Sequence, residues 1–280
     1  MIYARLFGGL GNQLFQYAAG RALADHLGCD LALDRRALEG GQSDVLGHFA
    51  HARHVTPDSL PPAKSDGLLR YALWRALGRN PRFHREKTLG FVPGFFDLHP
   101  GTYLHGYWQS ERYFADIADR LHADLTFTSP LDPVNAAMAT RIDAAPCAVS
   151  LHVRRGNYLA SSSYAPCPPE YYRHAIAKIR AAQTAPLTCF IFSNDPGWAR
   201  DTLDLGVEQV VVDINDAARG AFDLHLMSRC AHHLIANSTF SWWGAWLNPD
   251  PAKQVIAPKN WFGTPRLSNP DLVPEDWLRL

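Results

Sequence analysis

The chain has no surplus of charge. Lys plus Arg and Asp plus Glu stand at 27 each in 280 residues, so no global field draws it to nucleic acid or to an anionic membrane. Any anionic ligand must be gripped by a local positive cluster. Paired cysteines are lacking too. Cys29, Cys147, Cys167, Cys189 and Cys230 are scattered, odd in number and without a C-x-x-C pair. That argues against a zinc site or disulfide framework and for reduced thiols in a cytoplasmic protein. No apolar run approaches the roughly 18 residues that span a membrane. Met1-Ile-Tyr-Ala-Arg-Leu-Phe7 runs straight into glycines, with no secretory leader pattern. These absences predict a soluble bacterial protein, at most peripherally associated with the inner face of the bacterial inner membrane.

Several chemical signatures are missing as well. No Asp-x-Asp triplet, G-x-S-x-G or helical H-x-x-x-H occurs, and hard cations want clustered carboxylates. The close acid pairs near strand ends are Asp213/Asp216 and Asp201/Asp204, so no metal is expected. His232-His233 lies in a predicted strand and reads as structural. The loop Gly8-Gly9-Leu-Gly11-Asn12-Gln13 has Leu14 where a dinucleotide fingerprint needs its last glycine, and no Gly-Lys-Ser/Thr of a Walker loop.

What is present is an ordinary globular composition, 47% apolar and 19% charged, enough for one large domain or two modest ones. The opening reads strand (2–7), glycine turn, helix (12–27), strand (30–34). Prolines 57, 61 and 62 mark a loop, and helices are predicted over 65–77 and 111–125. Residues 83–108 are rich in aromatics and proline and remain unassigned. A segment over 134–142 reads as helical and fits either side of a division near 145. From Ala148, strands at 148–153, 187–193, 209–213, 232–236 and 254–257 alternate with helices at 169–183, 196–204, 222–230 and 240–247. That alternation predicts an α/β fold with a parallel doubly wound sheet. Ligands of such sheets sit beyond the carboxyl ends of the strands.

At those ends stand the candidate site residues. His152-Val-Arg154-Arg155-Gly-Asn157-Tyr ends the first of these strands. Arginine's planar fork suits a diphosphate, and although adjacent arginines are often surface ion pairs, the strand end favours an anion site. Asn194 and Asp195 follow the next strand, in a Ser-Asn-Asp-Pro sequence that is equally a turn and helix cap. Asn237-Ser238-Thr239-Phe240-Ser241 opens a helix whose N–H groups and dipole attract anions. Asn237-Ser-Thr is also a glycosylation sequon, set aside for want of a secretion signal. Trp242 and Trp243 read as core. Asp223 offers two carboxylate oxygens of the kind that accept from the N1–H and 2-amino group of guanine, or else is simply a helix-start charge. Gly9 and Asn12 belong to a tight turn or to a phosphate-approaching loop.

Four segments together resemble the bacterial α-1,2-fucosyltransferases. They are Gly8–Gln13, His152–Tyr158, Phe192-Ser-Asn-Asp-Pro196, and the run from Leu226-Met-Ser228 through Ile235–Leu247, in matching order from residue 5 to about 262. The resemblance implies a glycosyltransferase-B fold: two Rossmann-like domains facing a cleft, here an acceptor-side domain at 1–145 and a donor domain at 146–280. It implies inverting, metal-independent transfer of L-fucose from GDP-fucose to the 2-hydroxyl of a galactose-containing acceptor. No cofactor is needed beyond the GDP-fucose donor substrate. Carried over, His152 lies near the nucleoside, Arg154 on the β-phosphate and Asp223 on guanine. Ser238, Thr239 and Phe240 line the phosphates at the helix start opened by Asn237, Asn12 reaches across from the other domain, Arg154 and Asn12 are the catalytic candidates, and Arg155 is the more structural of the pair. Such families usually carry aspartate where this chain has Asn157, and an amide is no general base. Two alternatives stay open: a fucosyltransferase of α-1,6 or protein O-linked type, and a catalytically silent nucleotide- or glycan-binding protein. An NAD-dependent dehydrogenase fails on the missing glycine, with only Asp34 as a ribose partner.

Overall fold

The computed structural model describes residues 1–280 except 39–44, 51–53, 56–59, 64–65, 77–81 and 265 and the side chain of Asn157. It comprises two compact units, Met1–Thr126 with Asn269–Leu272, and Phe127–Ser268 with Val273–Leu280.

The first unit contains β1 (Ile2–Arg5), α1 (Leu10–His26), β2 (Leu31–Asp34), α2 (Leu68–Ala76), β3 (Phe83–Arg85), β4 (Tyr103–His105) and α3 (Ala118–Asp124). Its sheet is parallel, in the order β2-β1-β4-β3. Gly8 turns the chain at φ +79°, a conformation that costs glycine little, and Gly9 then caps α1 in an extended conformation. Leu14, Phe15, Ala18, Ala22 and Leu23 form the buried stripe of α1. A Cβ added at Gly20 would lie 2.9 Å from both Ala4 Cβ and Leu31 Cδ1, so the helix lies directly on β1 and β2.

The helix predicted over 111–125 is broken. Two 3-10 turns (Glu111–Tyr113 and Ala115–Ile117) precede α3. The Ser110 side chain accepts from Arg112 N, and Tyr113 turns inward, its hydroxyl donating to Gly90 O and accepting from Val92 N, both at 3.1 Å. Three-residue strands β3 and β4 escape a reading of periodicity. The predicted helix over 65–77 is α2, with Ser65 and Leu77 outside the described residues, as is Pro57 of the predicted loop.

The second unit contains α4 (Pro133–Ala144), β5 (Cys147–Val153), α5 (Pro169–Ala182), β6 (Leu187–Ser193), α6 (Pro196–Thr202), β7 (Glu208–Val212), α7 (Gly220–Ser228), β8 (His232–Leu234), α8 (Thr239–Trp246), β9 (Val255–Ala257) and β10 (Leu278–Arg279). All its strand pairs are parallel, in the order β10-β9-β8-β5-β6-β7. From β5 the chain moves through β6 to β7 on one side, then returns through β8 to β9 on the other. That is the Rossmann order, with its switch point between β5 and β8. Both faces are covered, which is why β5 is buried along its whole length and β6 up to its last residue. Val149, Leu151 and Ile191 pack with Tyr172 and Ile176 on one face. Ala148, Phe190 and Phe192 pack with Ile142, Leu226 and Met227 on the other.

Helix α4 therefore belongs to the second unit, which begins at Phe127, ahead of the residue 146 expected. Phe127 itself stacks on His225, ring centroids 4.5 Å apart. Near the end of the chain, Asn269–Leu272 rejoins the first unit: Asp271 pairs with Arg112 at 2.8 Å and accepts from Phe91 N at 2.9 Å. Branched bulk between α1 and the sheet forces overpacking. Gly20→Val should therefore lower unfolding free energy by about 2 kcal/mol, as read by urea denaturation.

Candidate functional site

The carboxyl ends of β5, β6 and β8 bring most of the sequence-predicted residues onto the second unit. At the end of β5 the two arginines part. Arg155 is held: its N–H donates to Asn194 Oδ1 at 2.9 Å and its Nε to Asp195 Oδ2 at 3.1 Å, while its guanidinium carbon sits 4.2 Å from the Trp198 ring centroid. Asp195 also caps α6, accepting from Trp198 N at 3.2 Å. Asn194 and Asp195, predicted to face a ligand, thus bind the β5 turn to the β6 turn. Gly156, at φ +51°, has no room for a Cβ, which would stand 2.4 Å from Asn194 Nδ2.

Arg154 lies with its guanidinium carbon 5.4 Å from the Tyr158 ring. Tyr158 stacks on Tyr164 at 4.7 Å and donates from its hydroxyl to Asn237 O at 3.2 Å. It thereby links Arg154 to the residue just before the N-cap of α8. A second link runs from β5 itself: the His152 ring lies 5.3 Å from that of Phe240, in the first turn of α8. His152 is buried, and its Nδ1 has no hydrogen-bond partner among the described residues. Burial, reinforced by Arg154, pushes its pKa down to about 3, so the ring is neutral and each nitrogen either donates or accepts. An orphaned buried nitrogen of this kind calls for a partner.

The start of α8 divides its residues by role. Asn237 is buried, and its Nδ2 donates to Ala165 O at 3.0 Å and Trp261 O at 2.9 Å. Both protons of that amide are thus used within the unit. Ser241 Oγ bonds back to Ala236 O and Ser238 O. Ser238 is the N-cap residue and makes no side-chain cap bond, and Thr239 and Phe240 follow as the first helical residues. The first-turn N–H groups of a helix have no intrahelical acceptor. Trp242 and Trp243 are wholly buried, as core residues.

Asp223, in the first turn of α7, closes a polar chain that sequence reasoning missed. Asn215 donates to Asp223 Oδ1 at 2.7 Å and to Asn135 Oδ1 at 2.9 Å. Asn135 donates to Asn215 Oδ1 at 3.0 Å and to Asp132 Oδ2 at 2.9 Å. Asp132 caps α4 and is paired with Arg219. Burial raises the Asp223 pKa to about 6, against the lowering effect of the Asn215 bond. The signal available was weak: Asn215 stands just beyond β7, and Asn135 is a polar residue in an apolar helical stripe.

In the first unit, Asn12 Oδ1 accepts from Gln109 Nε2 at 2.9 Å, and a Cβ at Gly9 would meet nothing within 4 Å. The loop is braced from α1 by two buried glutamines. Gln13 Nε2 donates to Gly8 O, and Gln16 accepts from Phe7 N at 2.9 Å and donates to Phe7 O at 3.2 Å. Asp34, the ribose candidate of the dehydrogenase alternative, is buried and accepts from Arg36 and from the Tyr103 hydroxyl at 2.6 Å. Among the described residues no group of three or more His, Cys, Asp or Glu is placed to hold a metal ion. None of the described helices is long and apolar enough to cross a membrane.

Solved structures share this architecture. The α-1,6-fucosyltransferase NodZ aligns over 89% of this chain and 92% of its own, with TM-score 0.54 and 16% identity. Arabidopsis thaliana FUT1 aligns over 93% and 71%, with TM-score 0.56 and 12% identity. The fold is therefore that of the glycosyltransferase-B enzymes. Residues 94–280 match the profile of glycosyl transferase family 11. Alpha-1,2-colitosyltransferase of Escherichia coli is 30% identical over 100% of this chain and 99% of its own length. Galactoside alpha-(1,2)-fucosyltransferase 1 of Lagothrix lagotricha is 27% identical over 86% and 63%. The chain belongs to glycosyl transferase family 11 and is a glycosyltransferase.

The asparagine chain generates a stability prediction. Asn135→Ala leaves Asn215 and Asp132 short of buried partners. The variant should lose about 2 kcal/mol of unfolding free energy, measured in urea, and an unchanged midpoint would refute the network.

Proposed function

We propose that this enzyme transfers L-fucose from GDP-fucose to the 2-hydroxyl of a galactoside, with inversion and without a metal ion or other cofactor. One observation carries the reading. Arg154 and the open first turn of α8 flank the switch point between β5 and β8 and are joined through Tyr158. A diphosphate there receives the arginine fork and the helix N–H groups together. Ser238, Thr239 and Phe240 line it, His152 supplies a neutral ring nitrogen to the nucleoside, and Asp223 accepts from guanine. Arg155, Asn194 and Asp195 shape the turn, and Asn237 acts through backbone placement. Gly9 and Asn12 are assigned to the phosphates by resemblance.

The chemistry follows from charge. As the bond between fucose C1 and the β-phosphate oxygen lengthens, negative charge grows on GDP and positive charge on the sugar. Arg154 and the helix start stabilise that GDP charge without reorganising. The acceptor hydroxyl attacks the opposite face of C1, so the β-linked donor gives an α-linked product. Its proton leaves late, to water or to phosphate, since the Asn157 amide cannot take it. A second reading, in which colitose is the transferred sugar, is favoured by the relative named Alpha-1,2-colitosyltransferase at 30% identity. We place the enzyme in the cytoplasm, with at most peripheral membrane contact.

The decisive assay incubates the pure protein with labelled GDP-fucose or nucleotide-activated colitose and a panel of galactosides, with and without EDTA, followed by linkage analysis. The α-1,2-fucosyl product should form equally in EDTA. Arg154→Ala should lower kcat by about 10²-fold or more, the scale of one lost preorganised donor. Near-normal turnover in that variant, or loss of activity in EDTA, would sink the mechanism. Asp223 adds a pH signature. Guanine donors favour its ionised form, so binding must compete with a proton below about pH 6. GDP affinity should weaken by up to about tenfold per pH unit below that point and lose this component in Asp223→Asn. The phosphate's own titration is common to both proteins, so identical profiles would refute the assignment.

A further inference from the structure

The first unit has its own switch point, and the side chains there fit a sugar ring. From β1 the chain goes to β2 on one side and returns through β3 to β4 on the other, so the crevice beyond a sheet of this kind lies at the carboxyl ends of β1 and β4. Arg5 and His105 end those two strands, with Arg5 Nη1 3.3 Å from His105 Nδ1. Beyond them, the rings of Phe7 and Tyr107 meet at 4.9 Å, Phe7 contacts His105 at 5.6 Å, and the Arg5 guanidinium carbon is 5.6 Å from Phe7.

Tyr107 is turned outward by a strained device. Trp108, the next residue, has φ +56°, the only positive φ among the described residues other than glycine, and its ring is 1% exposed while Tyr107 is 37% exposed. The bend lies between a buried ring and an exposed one. Glu86 holds it in place: its two oxygens accept from Tyr107 N at 2.6 Å and Trp108 N at 3.0 Å. Left-handed backbone at a bulky residue persists where the surroundings over-determine it, and such positions cluster at ligand sites.

We propose that Tyr107, with Phe7 against it and Arg5 and His105 around Phe7, is a binding platform for the pyranose ring of the acceptor. A galactose ring has one face of C–H bonds and a rim of hydroxyls. The C–H face packs on the electron-rich face of the tyrosine ring, and the rim hydroxyls bond to the guanidinium and the imidazole. The ligand class rests on the galactoside acceptor proposed above, but binding at this platform requires neither donor nor turnover.

Saturation-transfer NMR with methyl β-D-galactopyranoside tests it on the full chain without donor. Wild-type protein should transfer saturation to the ring protons on one face of the sugar. Tyr107→Ala should weaken binding by about tenfold, the scale of one aromatic face lost, and Tyr107→Trp should retain it. GDP affinity by calorimetry should be the same in all three proteins. Absent transfer in the wild type, equal binding by Tyr107→Ala, or a parallel fall in GDP affinity would each overturn the platform. Failure of GDP-fucose turnover alone would sink the donor assignment and leave this result standing.

Discussion

Strand β5 is hydrogen-bonded to β6 on one side and to β8 on the other, and the chain departs from it in opposite directions to reach them. The loops after β5 and β8 are therefore pushed apart, one over each face of the sheet, and a crevice opens between them. Everything at the candidate site follows from that reversal. The arginine pair leaves β5 at the crevice, α8 begins across it, and hydrogen-bonded side chains keep both edges in place. On the β5 edge Arg155 is turned to Asn194 and Asp195. On the β8 edge the Asn237 amide ties Ala165 and Trp261 together. The positions that rigidify the crevice are thus distinct from those offered to a ligand, though they alternate along the sequence.

That alternation limits what is legible in the sequence. Strands β5, β6 and β9 were readable because a sheet covered on both faces needs largely apolar segments, and Cys147–Val153 is buried at every position. The strand-end motifs were readable for a related reason, since the parallel order fixes where ligands bind. Side-chain roles within a motif were less so. Asn237 has the same chemistry whether its amide meets a phosphate or two carbonyls, and only the approach of residues 165 and 261 decides between them. Asn135 and Asn215 are 80 residues apart in sequence, so no local pattern announces their pairing. In the first unit, β3 and β4 are too short to show a period, and the predicted helix over 111–125 is interrupted by Tyr113, whose inward hydroxyl has no local sequence cue. The division between units moved to Phe127 because α4 buries Ala139 and Ile142 against Phe190 and Val210, a contact between segments distant in the chain.

The two units use buried polar groups in a common manner. Each carries a carboxylate whose environment is set by neighbours rather than by water. Asp34 is raised by burial but lowered overall by the bonds from Arg36 and Tyr103, which suits a permanent structural anion. Asp223 is pushed the other way, because the Asn215 bond and the Arg219 charge together do not offset its burial. Its folded pKa stands above the ordinary value, so the stability associated with its proton is present at low pH and declines as pH rises toward about 6. Ionised Asp223 is thus costly in the empty protein, and a ligand that donates to it relieves that cost.

The distribution of thiols has a kinetic consequence. Cys147, Cys167, Cys189 and Cys230 are buried in the second unit, while Cys29 of the first is partly accessible, and none is in a disulfide. Burial raises the pKa of each of the four, so an alkylating reagent reaches a reactive thiolate only after that unit opens. Cys29 reacts without such an opening and serves as an internal clock. The ratio of slow to fast alkylation in one sample then reads the opening equilibrium of the second unit by itself, and any nucleotide that settles between β5 and β8 registers as a slowing of four thiols that it never touches.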